Sequence, residues 1–399
     1  MTLSAAGIYL LLLPVAALTG WIFGRRSAFN ASNRPVSLNS DYLRGLRYLV
    51  NEDADKAIEV FTRLMEVDNE TVETHLALGD LFRRQGEVDR ALKIHQNLVA
   101  RPNLSPKHRN QACYELARDY LRAGVLDRAE NLYKDLAEQG IYLERSLKGL
   151  ISIYEQERDW ERAIEISRRL EAVQGHNLRP VIAQYYCEMA DECLRRKEHE
   201  AALKYLKRAL SEHPECVRAS IMEGGIEEKN ENYPLAIKAY QRILKQDVEF
   251  VGEIIEPLER CYQLQREPGA WHAQLKQLMQ GYSGPAPRVA LARQLVREER
   301  EQEAVDELVQ FLEANPSWKG FYHLLELQQS SASEALSGSA DALHKALQRM
   351  IAASPQYLCS SCGFEGHQLH WQCPRCKHWN SLAPVRDVIP ASGDSRLAG

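Results

Sequence analysis

Small and large apolar residues recur along most of the chain with a period of about 34 residues. The repeated element is an alanine followed four positions later by a larger residue, as in Ala236 and Tyr240 or Ala304 and Leu308. Residues four apart lie on one face of a helix, so the motif predicts one buried helical face per period. Nine alanines share this register, at spacings of 34 to 39 residues: Ala57, Ala91, Ala129, Ala163, Ala202, Ala236, Ala270, Ala304 and Ala342.

A second small residue stands twelve positions before most of these alanines, for example Gly79 and Gly224. Two helices can approach closely where small side chains meet, while larger residues three or four positions away fill the space around the contact. Prolines such as Pro214 and Pro316 fall where a second helix would end. Each helix pair leaves apolar surface that only stacking covers, so the pattern predicts an all-α superhelical solenoid with a concave face.

This pattern resembles the tetratricopeptide repeat over residues 38–354, with about nine units. Three units lack the small residue on the first helix and carry Ile151, Leu258 and Gln328 there. The segment 330–341 interrupts the last unit. We therefore expect looser or distorted packing at those units.

The first 24 residues carry no charge and are rich in leucine, isoleucine and alanine. A helix of this length, at ~1.5 Å per residue, spans the ~30 Å hydrocarbon core of a bilayer. Arg25 and Arg26 follow at once and no Lys or Arg precedes them, so the positive-inside rule places the rest of the chain in the cytoplasm. We predict a single-pass transmembrane anchor at 1–24 and a juxtamembrane linker at 25–37; a cleaved signal peptide is the alternative.

Two Cys-x2-Cys motifs near the C-terminus predict a metal site. Cys359 and Cys362 form the first motif, and Cys373 and Cys376 form the second. Two-residue spacing lets each tight turn present both thiolates to one ion, and four thiolates complete a tetrahedron. Residues 355–389 are too few for a self-sufficient core, so a bound ion would provide the missing stability. The site resembles rubredoxin and zinc ribbons, and its sulfur ligands leave iron and zinc open.

The rest of the composition gives no support for catalysis or nucleic-acid binding. The formal net charge is −5 and no basic stripe stands out. No P-loop, dinucleotide-binding, zinc-protease or nucleophile-elbow motif occurs in the chain. The five cysteines outside the metal motifs are scattered, and Cys193 and Cys261 take positions where other repeats have tyrosine, which indicates packing in a reducing compartment. We predict a non-enzymatic protein with no nucleic-acid partner and a flexible tail at 390–399.

A partner-binding surface is predicted on the first helices of repeats two to four. In the aligned register these helices line the concave side, where they carry basic and aromatic residues. Such a face suits an acidic or C-terminal segment of another protein, although a merely solvated charged face gives the same pattern. The residues are Arg83, Tyr114, Arg118, Arg122, Arg145 and Lys148.

The order of these parts resembles the lipopolysaccharide assembly protein B family of Gram-negative inner membranes. The resemblance rests on the apolar N-terminal segment with its basic pair, the nine repeats, and the two cysteine motifs with Trp371 before the second. It implies a regulator of lipopolysaccharide synthesis that promotes degradation of the lipid A deacetylase by the membrane-bound protease FtsH and contacts lipopolysaccharide assembly components. It also implies that the four-cysteine module packs onto the repeats. The oligomeric state stays open, a homodimer included.

Two functions from different classes fit this sequence. In the first, the protein is a membrane-tethered adaptor whose repeats bind client proteins. In the second, the C-terminal module is a rubredoxin-like iron centre that passes electrons to a docked partner. A red, reducible chromophore would favour electron transfer, whereas a colourless zinc protein that binds partners equally well would favour the adaptor.

Overall fold

The structure is a computed structural model that describes residues 44–45, 47–48, 56, 60, 72–329 and 334–385. They fall into two compact units, Met1–Gly149 and Leu150–Gly399. The predicted anchor at 1–24, linker at 25–37 and tail at 390–399 lie outside the described residues. Across the part of the chain that is described, no helix is both long and apolar enough to cross a bilayer.

Sixteen α-helices run through the described residues, arranged along the chain as eight consecutive pairs. Short turns separate the two helices of a pair, and a 3₁₀ turn at Val248–Phe250 precedes the eleventh helix. The bounds are α1 Val72–Arg84, α2 Val88–Val99, α3 Pro106–Ala123, α4 Leu126–Glu138, α5 Leu143–Glu157, α6 Trp160–Gln174, α7 Arg179–Arg195, α8 His199–Glu212, α9 Val217–Lys229, α10 Tyr233–Gln246, α11 Val251–Leu264, α12 Pro268–Gly281, α13 Ala286–Arg297, α14 Glu301–Ala314, α15 Trp318–Gln329 and α16 Glu334–Ala353.

The predicted alanine register is confirmed in six of these pairs. In each, the alanine is the fourth residue of the second helix and has no exposed surface. The first alanine of the series, Ala57, lies outside the described residues. The six buried alanines are Ala91, Ala129, Ala163, Ala202, Ala236 and Ala304.

The register is wrong at Ala270, which is exposed. The fourth residue of α12 is Trp271, which is only 2% exposed and packs against the Tyr262 ring with 5.5 Å between centroids. A large ring therefore fills the space that a small residue leaves open in other pairs. The residue four positions after the tryptophan, Leu275, is fully buried, so the true motif lies one position later than predicted.

The last pair also differs from expectation. Ala342 is exposed, and α16 buries Leu347 instead. This helix runs without a break from Glu334 to Ala353, so the expected interruption at 330–341 is wrong from residue 334 onward. The helix as a whole has six alanines and three leucines against two serines and one glycine, and the high helix propensity of alanine and leucine favours it.

Glycine on a first helix lets a ring from the second helix lie against the backbone. A Cβ atom added to Gly224 would come within 2.4 Å of the Tyr240 ring, and one added to Gly79 would come within 2.4 Å of the His95 ring. Each ring belongs to the residue four positions after the buried alanine. The small residue of the first helix and the large residue of the second helix are therefore two halves of one contact.

In the first seven pairs, the turn between the two helices contains one residue with a left-handed backbone. Gly124 takes this role after α3, with φ 75°, and its amide donates to the Leu121 carbonyl. Later pairs use residues with a side chain at the same place, where the left-handed conformation costs ~1–2 kcal/mol each. These residues, with φ between 58° and 63°, are Arg158, Lys197, Glu231, Arg266 and Glu299.

A small three-stranded antiparallel sheet follows the helices. Its strands are β1 Tyr357–Cys359, β2 Glu365–Gly366 and β3 Leu382–Pro384, in the order β2-β1-β3. Cys359 lies opposite Leu382 in the β1–β3 pair. This metal module, residues 355–385, has a core of only four buried residues: Tyr357, Cys359, Cys373 and Leu382.

Candidate metal centre and its surroundings

The structure brings all four predicted cysteines together. Their sulfur atoms lie within 4.8 Å of one another. The Sγ atoms of Cys359 and Cys376 are 3.8 Å apart, and those of Cys362 and Cys373 are 3.7 Å apart. Four sulfurs at ~2.3 Å from one ion stand about 3.8 Å from each other at the corners of a tetrahedron. The cluster therefore has the size of a tetrahedral metal site.

The two knuckles share one backbone geometry. The amide of Gly363 donates to the Cys359 carbonyl at 2.9 Å, and the amide of Lys377 donates to the Cys373 carbonyl at 2.9 Å. Gly363 and Lys377 also share a left-handed backbone, with φ of 68° and 61°. Each Cys-x2-Cys turn thus folds back in the same way and directs both of its sulfurs to one point.

The surroundings of the sulfurs favour thiolates at part of the site. The backbone amide of His378 lowers the pKa of Cys376 to about 5, and the Ser381 hydroxyl holds the pKa of Cys359 below its ordinary value. Desolvation raises the pKa of Cys362 to about 12. Soft sulfur donors of this kind suit Zn²⁺ or iron.

The nearby histidines do not join the cluster. Within the described residues, the group that could hold an ion contains the four cysteines and no histidine. His378 lies beside it but pairs its Nδ1 with the Ser361 hydroxyl at 3.4 Å. A bound ion would be held by Cys359, Cys362, Cys373 and Cys376, and a four-sulfur tetrahedron leaves no open position for a substrate or an activated water.

Trp379 fastens one side of the metal module to the repeats. Its indole N–H donates to Glu155 Oε1 at 2.7 Å, and the Tyr185 hydroxyl donates to the same oxygen at 2.6 Å. The Trp379 ring meets the rings of Trp160 and Tyr185 edge-on, with centroids 6.3 and 5.7 Å apart. One carboxylate on α5 therefore receives a donor from the module and a donor from α7.

A second attachment lies at α11. The Tyr357 hydroxyl of β1 donates to Glu253 Oε1 at 2.7 Å, and burial raises the pKa of this phenol, with the carboxylate acting in the same direction. The Trp371 ring stacks on Phe250, with 5.6 Å between centroids and 17° between planes. Sequence reasoning did not identify Glu155, Glu253 or Phe250, because no spacing relates them to the module.

Arg83, one of the six predicted groove residues, is buried and surrounded by acids. Its guanidinium donates to Asp119 at 2.7 Å and to Glu115 at 2.6 Å, and it also contacts Asp80. Asp119 faces His95 Nδ1 on its other side. The Arg83 charge is therefore matched inside the first unit, where it links α1 to α3. A role in partner binding stays a prediction for this residue.

Three of the other predicted residues form a stacked group at the surface. The Tyr114 ring stacks on Tyr142, with 5.2 Å between centroids, and Arg118 lies over Tyr114 at 5.9 Å. Arg145 lies over the outer ring, Tyr142, at 5.9 Å and is exposed. We call Arg118, Tyr114, Tyr142 and Arg145 the arginine–tyrosine ladder. Sequence reasoning missed Tyr142 because this residue precedes α5 and lies outside the helical register.

The last two predicted residues are exposed single charges. Arg122 lies near the end of α3, and Lys148 pairs with Glu144 on α5 at 2.8 Å. An exposed pair of this kind contributes less than ~1 kcal/mol. Their contribution to partner binding stays a prediction.

Comparison with known proteins assigns both parts of the chain to families. The tetratricopeptide repeat family matches residues 42–103, 114–176 and 187–247. The rubredoxin metal binding domain family matches residues 357–384, which include all four cysteines and the docking residues Tyr357, Trp371 and Trp379.

Curated relatives extend this similarity over nearly the whole chain. Lipopolysaccharide assembly protein B of Escherichia coli is 33% identical over 384 residues, which cover 95% of this chain and 98% of that protein. The chain belongs to the lipopolysaccharide assembly protein B family. The Haemophilus influenzae member is 34% identical over 392 residues, covering 94% of this chain and 97% of its own.

Among solved structures, the C-terminal part of a tetratricopeptide-repeat protein from Cytophaga hutchinsonii is similar over 66% of this chain and 98% of its own, at 14% identity and a TM-score of 0.38. That likeness is too distant to carry an argument. The place of this chain in the lipopolysaccharide assembly protein B family rests on the full-length relatives and on the two matched families.

Proposed function

We propose that the chain is a non-enzymatic adaptor of the bacterial inner membrane that regulates lipopolysaccharide synthesis. It holds client proteins on its repeats and promotes degradation of the lipid A deacetylase by the protease FtsH. Membership of the lipopolysaccharide assembly protein B family supports the link to lipopolysaccharide. The residues around the metal centre support the adaptor role.

The observation that carries the adaptor role is a closed four-sulfur site attached to a stack of helix pairs. A tetrahedral site with four protein ligands has no free position for chemistry, so its ion acts on structure. Trp379 and Tyr357, which the folded module holds in place, donate hydrogen bonds to α5 and α11. The ion therefore shapes the face of the repeats where the module sits, which is a task for a binding protein.

The client surface in this proposal is the arginine–tyrosine ladder with Arg122 and Lys148. Stacked rings offer flat apolar area, and guanidinium groups beside them pair with carboxylates in a planar, two-pronged manner. A segment that carries acidic and apolar residues matches this chemistry. Arg118 already forms an ion pair with Glu115 at 2.8 Å. Arg145 is therefore the exposed guanidinium of the ladder that a client carboxylate would meet.

The mechanism we propose is proximity. An anchor at residues 1–24 would keep the repeats in the membrane plane where FtsH works. A client bound to the repeats then meets the protease at a high effective concentration, without any bond being made or broken by the adaptor.

The test is the half-life of the lipid A deacetylase in cells that carry chain variants. Arg145→Glu should lengthen that half-life about fivefold, the change that ~1 kcal/mol of lost binding energy produces. Arg349→Glu on α16 is the matched control, because it makes the same charge change at an exposed residue that is not part of the ladder, and it should leave the half-life unchanged. Equal effects of the two variants would reject the ladder as the client surface.

Deletion of residues 1–24 tests the tethering step separately. The soluble chain should keep its metal and its repeats but lose most of its effect on deacetylase turnover. A half-life as short as that with the full chain would show that anchoring is not needed.

A further inference from the structure

Cys187 and Cys216 form a close thiol pair away from the metal centre. Their Sγ atoms are 3.8 Å apart, and the two residues are 0% and 2% exposed. Cys187 lies in α7, and Cys216 is the N-cap residue of α9. All nine cysteines lie in the described part of the chain. Cys261, by contrast, is a buried cysteine that packs among the apolar residues of the repeat core.

The pair has polar neighbours rather than an apolar shell. The Gln184 amide donates to the Cys216 sulfur at 3.5 Å, and Arg218 donates to the amide oxygen of Gln184 at 3.3 Å. Arg218 is itself held by Glu188 at 2.8 Å and is only 7% exposed. A buried guanidinium with an amide relay beside a sulfur stabilises negative charge on that sulfur.

The two thiols are also unlike each other. The hydrogen bond with the Cys187 sulfur lowers the pKa of Cys216, and the first amides of α9 and the Arg218 guanidinium act in the same direction. Desolvation raises the pKa of Cys187 well above its ordinary value. The Cys216 sulfur is thus suited to attack an oxidant, and the Cys187 sulfur is suited to attack the oxidised Cys216 afterwards, as in dithiols that oxidise readily.

A small cavity reaches the reactive member. It has a volume of about 230 Å³ and is lined by Cys216, by Gln246 and Phe250 of the repeats, and by Trp371 and Leu382 of the metal module. A water-sized molecule takes up ~30 Å³, so a small peroxide fits in this space beside the sulfur. The low exposure of the residue therefore does not close it to small oxidants.

We infer that Cys187 and Cys216 are a modification site at which hydrogen peroxide forms a disulfide between two neighbouring repeats. The Cys216 thiolate attacks the peroxide oxygen, the O–O bond breaks, and sulfenic acid and water form once the leaving hydroxide takes a proton. The Cys187 sulfur then attacks the Cys216 sulfur, the S–O bond breaks, and a second water leaves with the proton of Cys187. Two thiols are oxidised by two electrons, and one peroxide is reduced to two waters.

The bond would draw the sulfurs from 3.8 Å to the ~2.05 Å of a disulfide. It would tie α7 to the start of α9, at the wall of the cavity that Trp371 and Leu382 of the metal module also line. Oxidation therefore changes the repeats at the place where the module rests on them.

The experiment uses the full-length, metal-loaded protein. It is treated with hydrogen peroxide, its free thiols are capped with N-ethylmaleimide, and its peptides are mapped by mass spectrometry. We expect one linked pair, the Cys187 and Cys216 peptides, lighter than their sum by two hydrogen atoms and separated again by dithiothreitol. If both cysteines stay free at doses that oxidise the metal cysteines, or if either one links elsewhere, the inference is overturned.

Three variants define the order of events. Cys216→Ser should slow oxidation of Cys187 at least about tenfold, because the attacking thiolate is gone. Cys187→Ser should leave Cys216 as a sulfenic acid that dimedone captures. Cys261→Ser is the matched control, since it removes a buried thiol of the core and should leave the link intact. A dimedone adduct on Cys187 instead of Cys216 would contradict the proposed order.

Discussion

The helix pairs and the metal module reach a stable fold by different physical means. The pairs from α9 to α14 share one large apolar core, whereas the apolar core of the module has four buried residues, and two of these are cysteines. A core that small cannot offset the entropy of ordering the chain, so the module needs an ion and a neighbour. The neighbour is the repeat core itself, against which Trp371 and Leu369 pack. The helix pairs are stabilised by their own core, whereas the module depends on an ion and on its contact with the repeats.

The largest expected effect is that of removing one ligand. Cys373→Ser deletes a fully buried sulfur and should abolish metal binding, because structural four-sulfur sites contribute ~10–16 kcal/mol that an alcohol ligand does not replace. The module should unfold while the helices remain. Metal content by mass spectrometry and helicity by circular dichroism measure the two outcomes.

Cys261→Ser is the control for that experiment, since it changes a fully buried cysteine of the repeat core. It should keep the full metal content and lower the stability of the helices instead. If Cys373→Ser loses helicity as well as metal, the repeats also depend on the ion.

The next effect concerns the contact between the two parts. Glu155→Ala leaves the Trp379 indole and the Tyr185 hydroxyl without their shared acceptor, which should weaken docking by about 2–4 kcal/mol. Amide hydrogen exchange in β1 and β3 should rise while exchange in α9 to α14 stays constant. Gln156→Ala, at the exposed neighbouring position on α5, should leave both unchanged. Equal protection in both variants would mean that the ring contacts and the Tyr357–Glu253 hydrogen bond hold the module without Glu155.

A smaller effect is expected inside a helix pair. Gly224→Ala places a methyl group 2.4 Å from the Tyr240 ring and should lower the free energy of unfolding by about 1–3 kcal/mol. Gly225→Ala is the matched control, because its nearest neighbour is the Tyr240 hydroxyl at 3.8 Å and alanine favours the helix. Chemical denaturation should therefore give opposite signs at two adjacent positions. The same sign at both would mean that the ring moves aside freely.

The smallest effect lies in a turn. Gly124→Ala meets no atom within 4 Å but must adopt φ 75°, which should cost about 1 kcal/mol. Gly124→Asn should cost less, since asparagine tolerates the left-handed region. Thermal unfolding of the two variants gives the difference. An alanine variant as stable as the parent would show that the turn shifts to an ordinary conformation.

Periodicity predicted the helix pairs because each pair repeats one contact. The motif of Ala236 and Tyr240 marks a place where two backbones come close, and any sequence that keeps this contact repeats its spacing. The prediction failed at Ala270, where Trp271 supplies the volume and removes the small residue from the pattern. A search for small residues at a fixed spacing misses a helix pair in which a large side chain fills the same space.

The metal ligands were predictable for a different reason. Cys359 and Cys362 lie within one turn, so their spacing fixes their geometry, and the second motif repeats it. The attachment to the repeats was not predictable at the level of residues. Trp379 and Glu155 are 224 positions apart in the sequence, and no local sequence pattern in either segment depends on the other segment.

That separation has a consequence for the order in which the protein is made. At 5–20 residues per second, a ribosome adds Trp379 roughly 10–45 s after Glu155. Until then the nascent chain displays an uncovered carboxylate beside Trp160 and Tyr185, and the ion can arrive only after the last cysteine has emerged. A polypeptide that stops before Trp379 would still carry this uncovered aromatic surface, and exposed apolar surface of this kind is what chaperones bind.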